Sequence, residues 1–220
     1  MRITLAEEIM LLSLDGASGA VRERQSVSWA VAGGLLLELV LAERVAVTGQ
    51  YLAPAGTTPT GDPLLDGRVR LIEAWLRGRD KRRVTDWLTK DRTPSLGAAF
   101  DSLRGRGLVA GEQHRAPGAA PVGRRPGTDG SYEGALRARL AAVVLDGAEP
   151  DTRTAGLIAL IHSARLHGLA FPDLPARQVA PRLAETAAGH WASERVRTAI
   201  RDTQAAMAAV TLVTAAGTVL

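Results

Sequence analysis

The sequence predicts a mainly α-helical protein, a compact single-domain helical bundle with small β-hairpins, and three observations support this. Residues 29–41 carry one charged side chain, Glu38, so a helix there would be buried on nearly every side. Apolar residues recur at helical spacing through most of the remaining chain. Two short stretches, residues 44–47 and 51–52, have the pattern of strands. With 46% hydrophobic residues among 220, residues 1–220 can share one core.

The N-terminal half contains clear helix signals. Thr4 and Glu7 have the spacing of a capping box, which predicts a helix from there to about residue 12. The following central helix contains Gly33 and Gly34, where a second backbone can approach closely, and Ser26 or Ser28 is a candidate cap. In the stretch at residues 59–66, Asp62 precedes Pro63 as an N-cap precedes the first helical position. A helix through residues 64–76 should follow and end at Gly78.

The middle of the chain resembles the wing half of a winged helix. A short helix is predicted at residues 84–88, and Pro94 should restart a helix that ends near Gly107. A strand at residues 108–110 and a long loop at about residues 111–130, rich in Gly, Pro and Arg, would follow. Further helices are predicted at residues 132–145, 152–166 and 191–209, with prolines punctuating residues 172–181.

The charge of the chain is unevenly distributed. Residues 77–125 contain 12 Lys or Arg and 5 Asp or Glu, a net charge of +7, whereas the whole chain has +4. Such a cluster indicates either an anionic partner (a membrane surface, a phosphorylated lipid or a nucleic acid) or a solvated Arg-rich surface. The chain has no cysteine, which excludes disulfides and thiolate metal sites. Acidic residues follow the N-terminus where a signal peptide would be basic and then apolar, so we expect a cytoplasmic protein.

Signatures of enzymes are missing from the sequence. Phosphate-loop, dinucleotide-binding, nucleophile-elbow and zinc-protease motifs do not occur. His162 and His167 are five residues apart, which does not place them on one helical face as metal ligands. Asp62 and Asp66 are four apart and could form a carboxylate pair, but a capping role explains Asp62 better. We therefore expect no enzymatic activity, no cofactor and no metal.

A nucleic-acid function is the alternative that the winged-helix pattern raises. In that case four arginines would contact DNA phosphates: Arg104, Arg106, Arg124 and Arg125. Small residues at 97–99 offer few side chains that could contact base edges, which disfavours sequence-specific DNA binding. A module that serves only protein–protein contacts is the third possibility.

The order of motifs along the chain resembles that of the Golgi phosphoprotein 3 family. The matching pieces are residues 5–14, 33–39, 59–66, 103–109 and 157–162, and the stretch at 59–66, Pro-Thr-Gly-Asp-Pro-Leu-Leu-Asp, is the most specific. The Ala-, Arg- and Gly-rich composition resembles that of bacterial members. The resemblance implies a mainly helical domain that binds phosphatidylinositol 4-phosphate at the cytosolic face of a membrane, and eukaryotic members also bind protein clients.

The family's lipid pocket differs at the matching positions of this sequence. An arginine is expected in the central helix where Ala32 stands, and two more are expected near Thr93 and Leu96. The family's tryptophan falls near Glu23 or Arg24. We therefore predict a different lipid- or anion-binding set from nearby cations, namely Arg22, Arg24, Lys90 and Arg92. We also predict a membrane-facing basic loop with Arg115, Arg124 and Arg125 in place of the family's apolar hairpin.

Overall fold

A computed structural model of the chain describes residues 2–16, 18–79, 81–109, 129–188 and 194–216. Within these residues the chain forms nine helices and one three-stranded antiparallel sheet, which confirms the mainly α prediction. The helices are α1 (Leu5–Ser13), α2 (Arg24–Leu41), α3 (Pro63–Leu76), α4 (Val84–Gly105), α5 (Asp129–Val144), α6 (Thr152–Ser163), α7 (His167–Ala170), α8 (Ala176–Ala187) and α9 (Glu194–Ala216). The strands are β1 (Val45–Thr48), β2 (Tyr51–Pro54) and β3 (Arg82–Arg83).

Helix α2 lies at the centre of the fold and packs against α1, α4, α6 and α9. Its residues 27–39 are all buried, as the apolar run predicts. A Cβ atom built on Gly34 would lie 3.2 Å from the backbone nitrogen of Ala6, so α1 and α2 meet backbone to backbone there. On the neighbouring Gly33, a Cβ would meet Met207 of α9. The two glycines therefore permit the close approach that the sequence indicates.

The start of α2 differs from the prediction. The helix begins at Arg24, ahead of both predicted caps, and its N-cap residue is Glu23, which has a left-handed backbone (φ 47°, ψ 39°) and makes no side-chain capping bond. Ser28 instead lies inside the helix, where its hydroxyl donates to the Gln25 carbonyl at 2.7 Å. The chain enters α2 from a turn closed by an antiparallel bridge between Leu14 and Val21.

The start of α1 agrees with the sequence. The Thr4 hydroxyl accepts from the Glu7 backbone N–H at 3.2 Å, and the Glu7 carboxylate accepts from the Thr4 N–H at 2.6 Å. This completes the capping box, and every residue of α1 is buried.

The start of α3 also agrees with the sequence. Asp62 caps the helix by accepting from the Leu64 N–H at 2.8 Å, and Pro63 is the first helical residue. The backbone N–H and the hydroxyl of Thr60 both donate to Asp66 at 2.8 Å. The stretch at residues 59–66 thus forms a turn and a helix cap, and each of its two aspartates accepts hydrogen bonds within it.

The sheet contains one strand that the sequence does not reveal. The predicted hairpin of β1 and β2 is present, with Thr48 opposite Tyr51. Strand β3 pairs with the other edge of β2 and places Arg83 opposite Tyr51. Two consecutive arginines have no alternating pattern, so only the pairing with β2 makes this segment a strand.

Helix α4 is continuous, whereas the sequence predicted two helices with a break before Pro94. The proline lies inside the helix and removes one hydrogen bond, that to the carbonyl four residues earlier. Contacts across the fold support the helix here: the Arg68 guanidinium donates to the Pro94 carbonyl at 2.8 Å and pairs with Asp91 at 2.9 Å. The Ser95 hydroxyl donates to the second Asp91 oxygen at 2.6 Å. These buried polar contacts compensate for the proline.

The predicted strand at residues 108–110 is not present at its two described positions. Gly107 (φ 73°) ends α4, and the Leu108 N–H donates to the Leu103 carbonyl at 3.0 Å, which closes the helix end. Leu108 and Val109 are buried in the core, so their hydrophobicity reflects packing against helices. Of the predicted loop at about residues 111–130, residues 111–128 lie outside the described residues, and residues 129 and 130 belong to α5 instead.

The C-terminal half is helical as predicted, with shifted ends. Helix α6 ends at Ser163, three residues earlier than expected, and Arg165 turns the chain with a left-handed backbone (φ 58°). The proline-punctuated segment contains α8, with Pro181 inside it. Helix α9 reaches Ala216, beyond the predicted end at residue 209.

Candidate functional site

The predicted cations Arg22 and Arg24 lie at the entrance to α2. Arg22 is half-buried, and its Nη2 donates to the Leu12 carbonyl at 3.3 Å. Its Nε is buried and has no hydrogen-bond partner among the described residues. Arg24, the first residue of α2, is exposed. This entrance therefore presents one exposed cation and one partly anchored cation with an unused donor.

Arg92 reaches this end of α2 from α4. Its guanidinium carbon lies 4.7 Å from the ring centroid of Trp29, which is a cation–π distance. The Trp29 side chain belongs to the core, and its indole Nε1 is buried without a hydrogen-bond partner among the described residues. Trp29 lies five residues after Arg24, about 7.5 Å along the helix axis at 1.5 Å per residue. The structure thus brings Arg92 close to the first turns of α2.

Lys90 occupies a different face of α4. It is exposed, and it precedes Arg92 by two residues, a rotation of about 200° around a helix. The described part of the chain forms five surface pockets of about 370 to 600 Å³ that none of the four predicted cations lines. The four-cation set stays a prediction, and its geometry is that of an open surface.

Two of the three positions that the family resemblance assigns to pocket arginines are core positions here. Ala32 and Leu96 are each 1% exposed, on α2 and α4 respectively. Thr93 and Glu23 are exposed. Two of the three arginine positions are thus filled by apolar side chains that pack inside the protein, so an anion site near α2 has to use other residues.

Arg106, which the DNA-binding alternative assigns to phosphate contact, is bound inside the protein. Its Nε lies 2.8 Å from the Glu7 carboxylate, and its Nη2 lies 2.6 Å from that of Asp62. This arginine joins the two capped helix starts at α1 and α3 to the end of α4. Arg104 is exposed and pairs with Asp101 at 3.3 Å within α4. One of the two described arginines of that alternative is therefore committed to an internal contact.

A second buried ionic cluster joins α1, α2 and α6. Arg153 pairs with Glu38 and lies 3.5 Å from Glu8, and the Leu5 N–H donates to Glu38 at 2.8 Å. Burial raises the pKa of the Glu38 carboxyl to about 6, although the Arg153 charge acts in the opposite direction. The Glu38 carboxylate of the central helix thus has an ion-pair partner and a hydrogen-bond donor inside the protein, and the cluster has a structural role.

His162 and His167 come together although their spacing argued against a shared helical face. The turn after α6 brings the His162 and His167 rings to a centroid distance of 5.8 Å, edge to face. Burial lowers the pKa of both imidazoles. Within the described residues, no group of three or more His, Cys, Asp or Glu side chains could hold a metal ion.

The predicted membrane-facing arginines, Arg115, Arg124 and Arg125, lie outside the described residues. In the part of the chain that the structure describes, no helix is long and apolar enough to cross a membrane.

Fold and surface together define a mainly helical protein with cations around the start of α2 and along α4. A model of the Golgi phosphoprotein 3 family matches residues 5–203, so the chain belongs to this family. A comparison with curated proteins finds no match. The match runs from α1 into the first half of α9, and therefore includes the central helix and the predicted cations at its start and on α4.

Proposed function

We propose that this protein is a non-enzymatic peripheral membrane adaptor that binds anionic phospholipid, with a phosphoinositide-type headgroup as the family-based expectation. The binding surface, which we call the α2–α4 surface, comprises Arg22, Arg24 and Arg92 around the start of α2, together with Lys90 on a different face of α4. It faces a membrane from the cytoplasmic side. Further protein clients of the adaptor would bind elsewhere on the fold.

The observation that carries the proposal is the contact of Arg92 with Trp29 beside the entrance to α2. The indole face holds the guanidinium in place, so its N–H groups are oriented before a ligand binds. Two buried donors near this entrance, Arg22 Nε and Trp29 Nε1, have no partner among the described residues. Buried donors without partners are rare in folded proteins, and a phosphate group accepts hydrogen bonds strongly.

The charge distribution and family membership support a lipid surface as the ligand. The net charge of +7 over residues 77–125 includes Lys90 and Arg92. Each Lys or Arg near an anionic membrane surface contributes about 1 kcal/mol to binding. The α2–α4 surface is open, which suits a planar membrane better than a small soluble ligand.

Co-sedimentation with phosphatidylcholine vesicles tests the proposal. The vesicles carry increasing fractions of phosphatidylglycerol, phosphatidylserine or phosphatidylinositol 4-phosphate. We expect binding that rises with anionic lipid and weakens with salt, because the Debye length falls from about 10 Å at 0.1 M to about 3 Å at 1 M. Absence of salt-sensitive binding to all three anionic lipids would refute the proposal.

Charge-reversal variants locate the surface. The double variant Arg24→Glu/Lys90→Glu changes two exposed cations and should weaken vesicle binding by about 30-fold or more, from about 1 kcal/mol per cation. The matched control is Arg177→Glu/Arg201→Glu, which removes the same charge from exposed positions on α8 and α9. Equal losses in both variants would mean that net charge, and not the α2–α4 surface, determines binding.

The variant Arg92→Met tests the contact of Arg92 with Trp29. Methionine keeps an apolar stem over Trp29 but removes the guanidinium, so vesicle binding should fall while the fold is retained.

A gel-shift assay with duplex DNA at the same salt distinguishes the nucleic-acid alternative from the lipid proposal. DNA binding without vesicle binding would replace the lipid proposal by that alternative.

A further inference from the structure

A second cationic feature lies at the opposite edge of the sheet from β1, where β3 meets the start of α4. It is a surface pocket of about 370 Å³. Four cations line it, Arg79, Lys81, Arg82 and Arg83, together with the rings of Tyr51 and Trp75. Neither the sequence motifs nor the proposed function assigns a role to this pocket. We call it the β3 pocket.

Aromatic rings hold two of these cations in place. The Arg82 guanidinium carbon lies 4.4 Å from the Trp75 ring centroid, and the Lys81 Nζ lies 5.6 Å from that of Tyr51. Trp75 is itself braced by the buried Trp87 ring of α4, at a centroid distance of 5.5 Å. A guanidinium stacked on an indole keeps its N–H groups at the edge of the stack, where they can donate to a ligand.

The pairing of β3 with β2 positions Arg83. Arg83 lies opposite Tyr51 in the sheet, so both side chains project from the same face. The sheet therefore presents Arg83 next to the ring over which Lys81 lies. The Nε of Arg82 is buried without a hydrogen-bond partner among the described residues. The pocket thus contains an ordered donor that the protein itself does not use.

The charges in the β3 pocket are unbalanced. Asp86 is the one acidic side chain among the described residues that line it, and Asp80 lies outside the described residues. Within the described part of the chain, none of the four cations forms an ion pair. Four like charges within five residues repel one another, so an anion that neutralises two or more of them binds favourably.

From this geometry we infer that the β3 pocket binds a phosphomonoester group. A phosphomonoester carries about −1.5 to −2 charge at pH 7 and three strong acceptor oxygens, which suits a pocket lined by several guanidinium and ammonium groups. A phosphodiester has one negative charge and fewer free oxygens. At about 370 Å³, the pocket is at the small end of ligand sites, which span about 300–1,000 Å³, and this suits a small phosphorylated headgroup or metabolite.

Two matched pairs of probes test the inference and distinguish its possible sources. Glycerol 3-phosphate and glycerophosphocholine are a soluble monoester and diester, titrated into ¹⁵N-labelled protein. Vesicles with phosphatidic acid and with phosphatidylglycerol, at equal surface charge, are the lipid counterparts. We expect saturable shifts at the backbone amides of residues 81–83 and at the Trp75 indole with the soluble monoester, stronger binding to phosphatidic acid than to phosphatidylglycerol, or both. A response to vesicles alone identifies a lipid headgroup, and a response to the soluble probe identifies a free phosphorylated molecule.

Variants tie the effect to the pocket. Arg82→Met retains packing on Trp75 and should weaken monoester binding about tenfold or more, since hydrogen bonds to charged groups are the strong ones. Lys81→Gln changes an exposed side chain, so it reports on the pocket even if Arg82→Met disturbs the fold. The control is Arg177→Glu. The double variant Arg24→Glu/Lys90→Glu, which belongs to the α2–α4 surface, is compared with the pocket variants only for the preference between monoester and diester.

The two proposals fail independently. Loss of monoester preference in Lys81→Gln or Arg82→Met, but not in Arg24→Glu/Lys90→Glu, supports the β3 pocket whether or not the α2–α4 surface binds membranes. Equal binding of monoester and diester probes, or no loss in either pocket variant, overturns the inference.

Discussion

Replacing Gly34 by alanine adds one methyl group where α1 and α2 are closest. The new Cβ would lie 3.2 Å from the Ala6 backbone nitrogen and 3.4 Å from the Leu5 carbonyl carbon. Both neighbours are backbone atoms, so they cannot move aside by a rotamer change. Helix α1 as a whole would have to shift by a few tenths of an ångström, and overpacking of this kind costs about 1–3 kcal/mol.

The expected magnitude is a balance of two effects. Glycine in a helix interior is about 1 kcal/mol less favourable than alanine, so the substitution gains about that much in α2. We therefore expect Gly34→Ala to lower the free energy of unfolding by about 1 kcal/mol. The matched control is Gly67→Ala in α3, where the nearest atom to the new Cβ is the end of the Arg70 side chain at 3.8 Å. The control should gain up to about 1 kcal/mol, because it has the propensity effect without overpacking.

Urea denaturation followed by circular dichroism measures both variants. The difference between them should be about 2 kcal/mol, which corresponds to about 4–8 °C in Tm for a domain of this size. Gly33→Ala should fall between the two, because its Cβ meets the side-chain sulfur of Met207 rather than backbone. If Gly34→Ala stabilises the protein as much as Gly67→Ala does, then α1 and α2 do not meet backbone to backbone at Gly34.

Three further predictions concern polar groups. Arg68→Met leaves Asp91 buried without its ion-pair partner and should lower the free energy of unfolding by about 3–5 kcal/mol in urea denaturation. The double variant Arg68→Met/Asp91→Leu should recover part of this loss, and no recovery would argue against the buried ion pair. Because burial raises the pKa of Glu38 to about 6 from 4.5, the folded state holds this proton more tightly, and stability should fall by about 2 kcal/mol as pH rises through 4.5–6. Urea midpoints of wild type compared with Glu38→Gln should show this fall, and parallel profiles would contradict it. Asp62→Ala removes a helix cap and an ion pair and should cost at least about 1 kcal/mol in thermal unfolding, and an unchanged Tm would contradict the capping role.

Local sequence signals predicted the elements that depend on a few neighbouring residues. The capping box at Thr4 and Glu7 and the cap at Asp62 were both confirmed, because each is closed by residues within three positions. Burial of the central helix was confirmed, since an almost uncharged run can be stable only inside. The start of that helix was predicted wrongly, because it begins at Arg24 without the side-chain cap on which the prediction relied.

Charge patterning gave the region of the candidate site but not its organisation. The sequence shows that residues 77–125 are basic, and it cannot show which of these cations are internal. Arg106 turned out to bind Glu7 and Asp62, while Arg92 stacks on Trp29. Each of these contacts joins residues from different helices, so no local pattern contains it.

By itself, then, the sequence determined the helical class, the capped starts of α1 and α3, the buried central helix and the family to which the chain belongs. Those features follow from hydrophobic periodicity, from short-range hydrogen bonds and from ordered motifs. Only the tertiary structure decided that α4 runs through Pro94, that β3 is a strand, and that four cations surround aromatic rings beside it. The physical reason is that these features depend on contacts between residues far apart in the chain, as in the pair of Glu38 with Arg153, 115 residues later.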